Sequence, residues 1–152
     1  MIRKISTFNP ISNFNQAVEK LSNIGLRPTK QRMILAKLLF EKGDRHISAE
    51  ELYKEVQKEN RKLSLATIYN TLNQFTKLGL LKELVIDQNK SIYCTNHDSH
   101  YHLYIEDVGK IIDIPQKNID LNIPEIPACL NFHNIEIIVR IRTLKDKYKI
   151  NS

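Results

Sequence analysis

Apolar residues recur every three or four positions along residues 64–81, and this is the clearest pattern in the chain. That spacing places them on one side of an α-helix, which Ser64 can cap at its start and Gly79 can end. The apolar side consists of Leu65, Ile68, Leu72, Phe75 and Leu78. The opposite side, with almost no acidic charge, consists of Thr67, Tyr69, Asn70, Asn73, Gln74 and Lys77. Such a helix suits the major groove of DNA, although an ordinary amphipathic helix with a solvated face shows the same pattern.

Three further helices are predicted upstream from apolar spacing and capping residues. The first covers residues 13–23. The second begins after Thr29 and runs to Phe40. The third begins after Ser48, which can form a capping box with Glu51.

The pattern changes after the 64–78 helix. The runs LLKELVID and KSIYCTN are rich in residues that favour strands, and residues 87–90 between them predict a hairpin. Three helices followed by a hairpin describe a winged helix. We therefore predict a winged-helix DNA-binding domain over residues 1–95, with the first helix as an N-terminal extension.

The rest of the chain, residues 96–152, predicts a small αβ domain. HYHLYIED and GKIIDI are expected to pair as strands, and IEIIVRIR to form a third. Between the second and the third of these strands, Pro124 and Pro127 allow only a short helix. Since so small a domain with apolar strands has difficulty burying both sheet faces, we expect it to pair with a second copy. The predicted fold class is α+β, a winged helix followed by an αβ dimerisation domain.

Charge is unevenly distributed between these two parts. Residues 1–95 contain 16 Lys and Arg against 9 Asp and Glu, a net charge of +7, within a total of +6. Residues 96–152 contain 7 against 8, a net of −1. The positive charge therefore accompanies the 64–78 helix, which favours a polyanionic partner.

Targeting signals and cysteine patterns indicate the cellular compartment and the redox state of the cysteines. The sequence shows neither a secretory signal nor the roughly 20 consecutive apolar residues of a membrane span, so we expect a cytoplasmic protein with no membrane partner. Cys94 and Cys129 are then expected to remain thiols, and neither belongs to a C-x-x-C pair.

Several motifs, in order, resemble the ferric uptake regulator (Fur) family of metal-responsive transcription factors. They are GLRPTKQR, RHISAEELY, LATIYNTLNQFTKLGLL, the H-x-H of HYHLY, and GKIIDI, and the resemblance covers about residues 24–142. Within the family, GLRPTKQRMILAKLLFEKGDRHISAE, SLATIYNTLNQFTKLGLL and the DIP after the second of these strands are most similar to the iron response regulator (Irr) branch. The resemblance implies a homodimeric transcription regulator of iron and haem homeostasis genes, not an enzyme. Many members are repressors, and the residues of this chain are compatible with either direction of control.

The resemblance also implies how DNA is read. Tyr69 would place its ring on thymine methyl groups in the major groove. Asn70 stands where many relatives carry Arg, and Asn pairs better with adenine, so we expect an A·T-leaning inverted repeat. Arg27 matches a basic residue that relatives insert in a narrow minor groove. Phosphate contacts are expected from Lys30, Arg32, Arg61, Lys62 and Thr67, with plain solvation as the alternative for each cation.

His100 and His102 are candidate metal ligands. Separated by one residue on a strand, both rings project from one face, so they can bind one metal ion, or one of them can ligate haem iron. The resemblance adds His46, which in relatives joins a regulatory site bridging the two domains, then Asp113 and, more loosely, Asp120. A ligand held by His46 and the two strand histidines would fix the angle between the domains and so couple ligation to DNA affinity.

Departures from the family pattern leave the effector open. Ile105 and Val108 replace the C-x-x-C of relatives in which cysteines hold a structural zinc, so that zinc is not expected. Tyr93 replaces a glutamate of many regulatory sites, and Ser99 and Tyr101 replace a ligand His and Asp. The chain also lacks the Cys-Pro haem motif of some relatives. A divalent Fe, Mn or Zn ion, haem, or both remain candidate cofactors.

Three alternatives follow from the same residues. A Fur-like regulator could answer to peroxide, Mn or Zn. A winged-helix adaptor could retain its histidines without any ligand. A small metal-dependent hydrolase could also use a strand H-x-H, but the chain shows no Gly-rich phosphate loop, no poised nucleophile and no acid–base carboxylate pair. His97 and His133 are expected to be structural or solvated.

Overall fold

The computed structural model of this chain describes residues 10–23 and 25–144, with side chains from residue 14 onwards. It divides into two compact units, Met1–His97 and Asp98–Ser152. Within the described ranges, none of the helices combines the length and the apolar character that crossing a membrane requires.

Four helices make up most of the first unit, as the sequence predicted: α1 (Pro10–Asn23), α2 (Lys30–Phe40), α3 (Ala49–Lys58) and α4 (Leu65–Lys77). Each predicted cap is present. The Thr29 hydroxyl accepts a hydrogen bond from the Arg32 backbone N–H, and the Ser64 hydroxyl accepts one from the Thr67 N–H at 3.1 Å. Ser48 forms its capping box with Glu51. Because caps satisfy free N–H groups of the first turn, they fix where these helices begin.

The predicted hairpin forms the wing. Strands β2 (Lys82–Asp87) and β3 (Lys90–Cys94) pair antiparallel, and a two-residue strand β1 (His46–Ile47) joins the other edge of β3. In the turn, the Asp87 carboxylate accepts a hydrogen bond from the Asn89 N–H at 2.9 Å. The sequence did not predict β1.

The apolar side of α4 packs into the main core, with one correction. Ile68, Leu72 and Phe75 are fully buried, and each contributes about 1.5–3 kcal/mol of burial free energy. Leu65, predicted to face inward, is 36% exposed because it is the first helical residue, a turn before the first fully buried one. Leu78 is half-buried. Thr71 also lies on the buried side of α4, and its hydroxyl donates a hydrogen bond to the Thr67 carbonyl.

The second unit is a three-stranded sheet: β4 (His100–Ile105), β5 (Lys110–Pro115) and β6 (Ile138–Ile141). β4 lies in the centre, antiparallel to β5 and parallel to β6. The three predicted strands are therefore present. A 3-10 helix occupies Gln116–Asn118, and residues 119–137 contain no helix, which stays within the limit of a short helix at most that Pro124 and Pro127 set. Proline removes a backbone donor and restricts the residue before it, which disfavours a helical turn here.

Candidate functional site

The front of α4 remains largely open within the first unit. Asn70, Asn73 and Lys77 are exposed, whereas Tyr69 is half-buried and its ring packs against the main core. The Tyr69 hydroxyl donates a hydrogen bond to the Glu50 carboxylate on α3. The predicted base-contacting tyrosine is therefore held by a neighbouring helix.

The bond between Tyr69 and Glu50 changes the acidity of both groups. Accepting the hydroxyl proton lowers the pKa of Glu50, and the same carboxylate raises the pKa of Tyr69. At neutral pH the carboxyl is thus ionised and the hydroxyl protonated, which is the state in which the bond is strongest.

Arg32, predicted as a phosphate contact, is partly engaged within the protein. Its Nη1 donates to the Arg27 carbonyl at 2.7 Å, and its Nε donates to the Gln74 side chain at 3.2 Å. It therefore connects the segment carrying Arg27 to α4. A guanidinium has five N–H donors, so others remain for a phosphate.

The other predicted DNA contacts lie on the surface of the first unit. The side chains of Arg27, Lys30, Arg61 and Lys62 are exposed. Thr67 is a surface residue of the first turn of α4, and its hydroxyl lies 2.9 Å from that of Ser64. Surface positions are what DNA contacts require, and the DNA contacts of these five residues stay predictions.

Strands β4 and β5 bring two histidines and a carboxylate together. The Nε2 atoms of His100 and His102 lie 2.9 Å apart, and both side chains are nearly buried, at 9% and 2% exposure. Asp113 is the cross-strand partner of His102. One Asp113 carboxylate oxygen lies 3.3 Å from the Nε2 of His100 and 3.6 Å from that of His102. Three of the five predicted ligands are thus brought together.

A backbone contact orients His100. Its Nδ1 lies 2.6 Å from the Asp98 carbonyl, an acceptor, so Nδ1 carries the proton and the Nε2 lone pair points toward His102 and Asp113. Metal-ligating histidines are commonly oriented in this way by the nitrogen that does not bind the ion.

The three donors fit a divalent ion. Two nitrogens bound to one ion at about 2.0–2.1 Å and at right angles are about 2.9 Å apart. The observed Nε2 separation has this value, and the nearby carboxylate supplies negative charge. Two imidazoles with one carboxylate are a donor set typical of non-haem iron, and the same ligand types also suit Zn and Mn.

The remaining histidines and acids have other surroundings. Asp120 is exposed after the 3-10 helix and does not join the convergent donors among the described residues. His97 stacks on Phe40 with ring centroids 6.1 Å apart, as expected of a structural histidine. His133 is exposed.

In the first unit, His46 lies beside Cys94, for which the sequence predicted no role beyond that of a free thiol. His46 on β1 is paired directly with Cys94 on β3, and a ring nitrogen of His46 lies within 4.8 Å of the Cys94 sulfur. No local motif signals this pair, because the two residues are far apart in the sequence and β1 has only two residues.

Comparison with known proteins gives consistent matches. The sequence pattern of the ferric uptake regulator family matches residues 23–142. The chain is 34% identical over 105 residues to the peroxide-responsive repressor PerR of Staphylococcus aureus, covering 68% of this chain and 70% of that protein. Its fold is similar to the Vibrio cholerae ferric uptake regulator, with a TM-score of 0.64, 27% identity, and coverage of 82% and 98% of the two chains. The Campylobacter jejuni peroxide stress regulator gives a TM-score of 0.58, 25% identity and coverage of 85% and 97%.

Members of this family are metal-responsive transcription regulators that bind DNA and act as dimers. They are not enzymes, so the hydrolase alternative is excluded, and the predicted α+β fold is confirmed. The family match over most of the sequence agrees with the capped helices, the wing and the paired histidines, and the chain belongs to the ferric uptake regulator family.

Proposed function

We propose that this protein regulates transcription in response to a divalent metal ion held by His100, His102 and Asp113. The observation that carries the proposal is the convergence of two buried imidazole Nε2 atoms, 2.9 Å apart, on the same carboxylate oxygen. Without a cation, three lone-pair donors so close together repel one another unless a proton is shared. A bound cation removes this repulsion, and its positive charge holds the donors of strands β4 and β5 together.

Iron is the first candidate ion for this site. Two imidazoles and a carboxylate suit Fe(II), while Mn and Zn accept the same ligand types. The 34% identity to a peroxide-responsive repressor supports peroxide as an alternative signal.

Haem is the second candidate effector. Its support is the resemblance of the GLRPTKQRMILAKLLFEKGDRHISAE segment and the 64–81 segment to the iron response regulator branch. In that case His100 or His102 would hold the haem, since an imidazole Nε2 can ligate haem iron.

The proposal includes His46 as a ligand of the same ion, on the strength of the family resemblance. Ligands from both units would make ion binding depend on their arrangement, and by linkage DNA affinity would then depend on the ion. Asp120 is a less favoured ligand because its side chain is exposed.

The proposed operator is an A·T-leaning inverted repeat of double-stranded DNA. Asn70 is exposed on the front of α4 and suits adenine, and the half-buried Tyr69 suits thymine methyl groups. Arg27 would enter the minor groove, while Lys30, Arg32, Arg61, Lys62 and Thr67 contact phosphates. Two copies of α4 would occupy half-sites about one duplex turn apart.

The second unit offers an apolar surface for the partner subunit. Its exposed large apolar residues include Ile112, Leu121, Ile123, Ile126, Leu130, Phe132 and Ile141. An exposed apolar set of this size is typical of a surface that another chain covers. We propose that it contributes to the homodimer.

The test compares the full chain with the double variant His100→Ala/His102→Ala. Bound metal and haem are measured on protein purified from iron-replete cells, and operator protection is repeated after chelation. We expect a divalent ion in the wild type, loss of that ion in the double variant, and no remaining response to chelation. His133→Ala is the matched control, since His133 is exposed.

Two outcomes would contradict this proposal. Operator binding that is intact in metal-free, haem-free protein and indifferent to added metal would indicate a ligand-free adaptor. A haem Soret band that depends on His100 and His102, with no other metal bound, would favour haem.

A further inference from the structure

We propose that Glu50 is a specificity-determining residue for DNA, because its carboxylate engages the one proton of the Tyr69 hydroxyl. With that proton engaged, Tyr69 presents its ring to the major groove and offers no hydrogen-bond donor to a base. This inference rests on the proposed function for the reading of DNA by α4. It adds to that function a residue on α3, outside the reading helix.

The first argument is the position of Glu50. The first turn of α3 contains two acids, Glu50 and Glu51, and acids at a helix N-terminus often only offset the partial positive charge there. The Glu51 carboxylate has a local partner, since it accepts hydrogen bonds from the Ser48 N–H at 2.8 Å and from the Ser48 hydroxyl at 3.0 Å. The Glu50 carboxylate instead accepts its bond from Tyr69 on the next helix, 19 residues along the chain. Capping of α3 therefore does not explain this contact.

The second argument is the direction of the hydrogen bond. The Tyr69 hydroxyl first, and the charge of Lys54 after it, lower the pKa of Glu50. The carboxylate is therefore ionised at neutral pH and can only accept, so the tyrosine must be the donor. α4 itself contains no acidic residue, so Glu50 supplies from α3 the acceptor that α4 lacks.

The third argument is what the bases offer in the major groove. Guanine presents two acceptors, N7 and O6, whereas thymine presents its methyl group beside a single acceptor. A free Tyr69 hydroxyl would gain a hydrogen bond at guanine. An engaged hydroxyl cannot donate, and apolar contact between the ring and a thymine methyl group remains. Glu50 therefore makes Tyr69 favour thymine over guanine.

The experiment measures base preferences of the full chain on an operator library. Each base pair of the protected operator is randomised in turn, and the bound DNA is sequenced. In Glu50→Ala we expect the preference for thymine over guanine to fall by about 3- to 10-fold at one position of each half-site, the range for one hydrogen bond. Preferences at the other positions should stay as in wild type.

Removal of the hydroxyl gives a second, independent test. Tyr69→Phe has no hydroxyl to engage, so we expect it to keep the wild-type preference for thymine over guanine. The double variant Tyr69→Phe/Glu50→Ala should regain the preference that Glu50→Ala loses, because the hydroxyl that Glu50→Ala frees is absent. A role of Glu50 confined to the structure of α3 would give no such rescue.

Glu50→Gln is the matched control. It removes the same charge as Glu50→Ala but keeps an oxygen that can accept from the Tyr69 hydroxyl, so we expect the wild-type preference. Glu59→Ala removes an exposed acid at the other end of α3 and should also have no effect. Glu50→Ser covers the case in which Glu50→Ala does not fold, since its side chain is too short to reach Tyr69. Circular dichroism checks the fold of each variant.

The outcomes separate this inference from the proposed function. An unchanged thymine preference in Glu50→Ala and Glu50→Ser would overturn the role of Glu50 alone. An equal fall in Glu50→Gln would assign the effect to charge, and a fall in Tyr69→Phe or in the double variant would assign it to ring position; either result would also overturn the inference. Full operator affinity in Tyr69→Ala would overturn the proposed reading of DNA as well.

Discussion

His100 and His102 show how much depends on single residues in this protein. A spacing of one residue on a strand puts both rings on one face, and the Asp98 carbonyl selects which nitrogen of His100 is protonated. Asp113 completes the group only because β5 pairs with β4 in the observed register. A shift of one residue along β5 would turn its carboxylate to the other face.

Tyr69 gives the sharpest prediction at this scale. We expect Tyr69→Ala to abolish site-specific operator binding while the dimer remains folded, since the ring is the proposed contact to thymine and only one half-buried side chain is removed. Fluorescence anisotropy with the natural operator and size-exclusion chromatography measure the two properties.

Tyr69→Phe is the matched control, because it keeps the ring and removes only the hydrogen bond to Glu50. We expect its operator affinity to fall by no more than about 10-fold, as for the loss of one hydrogen bond of about 0.5–1.5 kcal/mol. Full operator affinity in Tyr69→Ala would show that the front of α4 does not read bases.

At the scale of elements, a few polar contacts fix how the segments of the first unit meet. Arg32 connects the Arg27 segment to α4. Arg45, just before β1, donates twice to the Glu55 carboxylate on α3, at 2.6 and 3.1 Å. The proposed ligand His46 follows Arg45 directly, so this ion pair also holds the start of β1.

The Arg45–Glu55 pair predicts a pH-dependent stability. The guanidinium holds the pKa of Glu55 below its ordinary value of 4.5. The pair therefore stabilises the fold above that value, and its contribution is lost as the pH falls through the lowered pKa.

We expect Glu55→Gln to lower the free energy of unfolding at pH 7 by up to about 1 kcal/mol, the range of partly exposed ion pairs. The difference from wild type should shrink below pH 4.5. Urea denaturation at both pH values measures it. Glu59→Gln, at the C-cap of α3, is the control. A difference that is constant with pH would argue against the ion pair.

At the scale of the whole molecule, charge and apolar surface are divided along the chain. Residues 1–95 carry the net charge of +7, from 16 Lys and Arg against 9 Asp and Glu, and the exposed apolar set described above lies in the second unit. This division suits a protein that binds DNA with one part and a second copy of itself with the other.

The apolar surface of the second unit predicts where dimerisation can be weakened. Phe132 is 57% exposed, and we expect Phe132→Asp to raise the dimer dissociation constant at least about 10-fold by placing a charge in the proposed interface. Val85→Asp is the matched control, because Val85 is 61% exposed but lies on the wing of the first unit. Sedimentation velocity across a concentration series measures both, and equal effects would contradict this assignment.

The sequence by itself determined the features that depend on near neighbours. The four helices follow from apolar residues three or four positions apart and from caps at Thr29, Ser48 and Ser64, because a helix forms its bonds within a few residues. The hairpin and the shared face of His100 and His102 also follow from local spacing. The family motifs indicated the α+β fold, which the comparisons confirm.

Only the tertiary structure decided the features that join distant residues. In the folded chain Leu65 is exposed, and the Arg32 guanidinium donates hydrogen bonds to the Arg27 carbonyl and the Gln74 side chain. Residues 119–137 contain no helix. It also placed Cys94 opposite His46. Strand pairing depends on the path of the whole chain, and no pattern within a few residues of either side chain encodes which residues will meet.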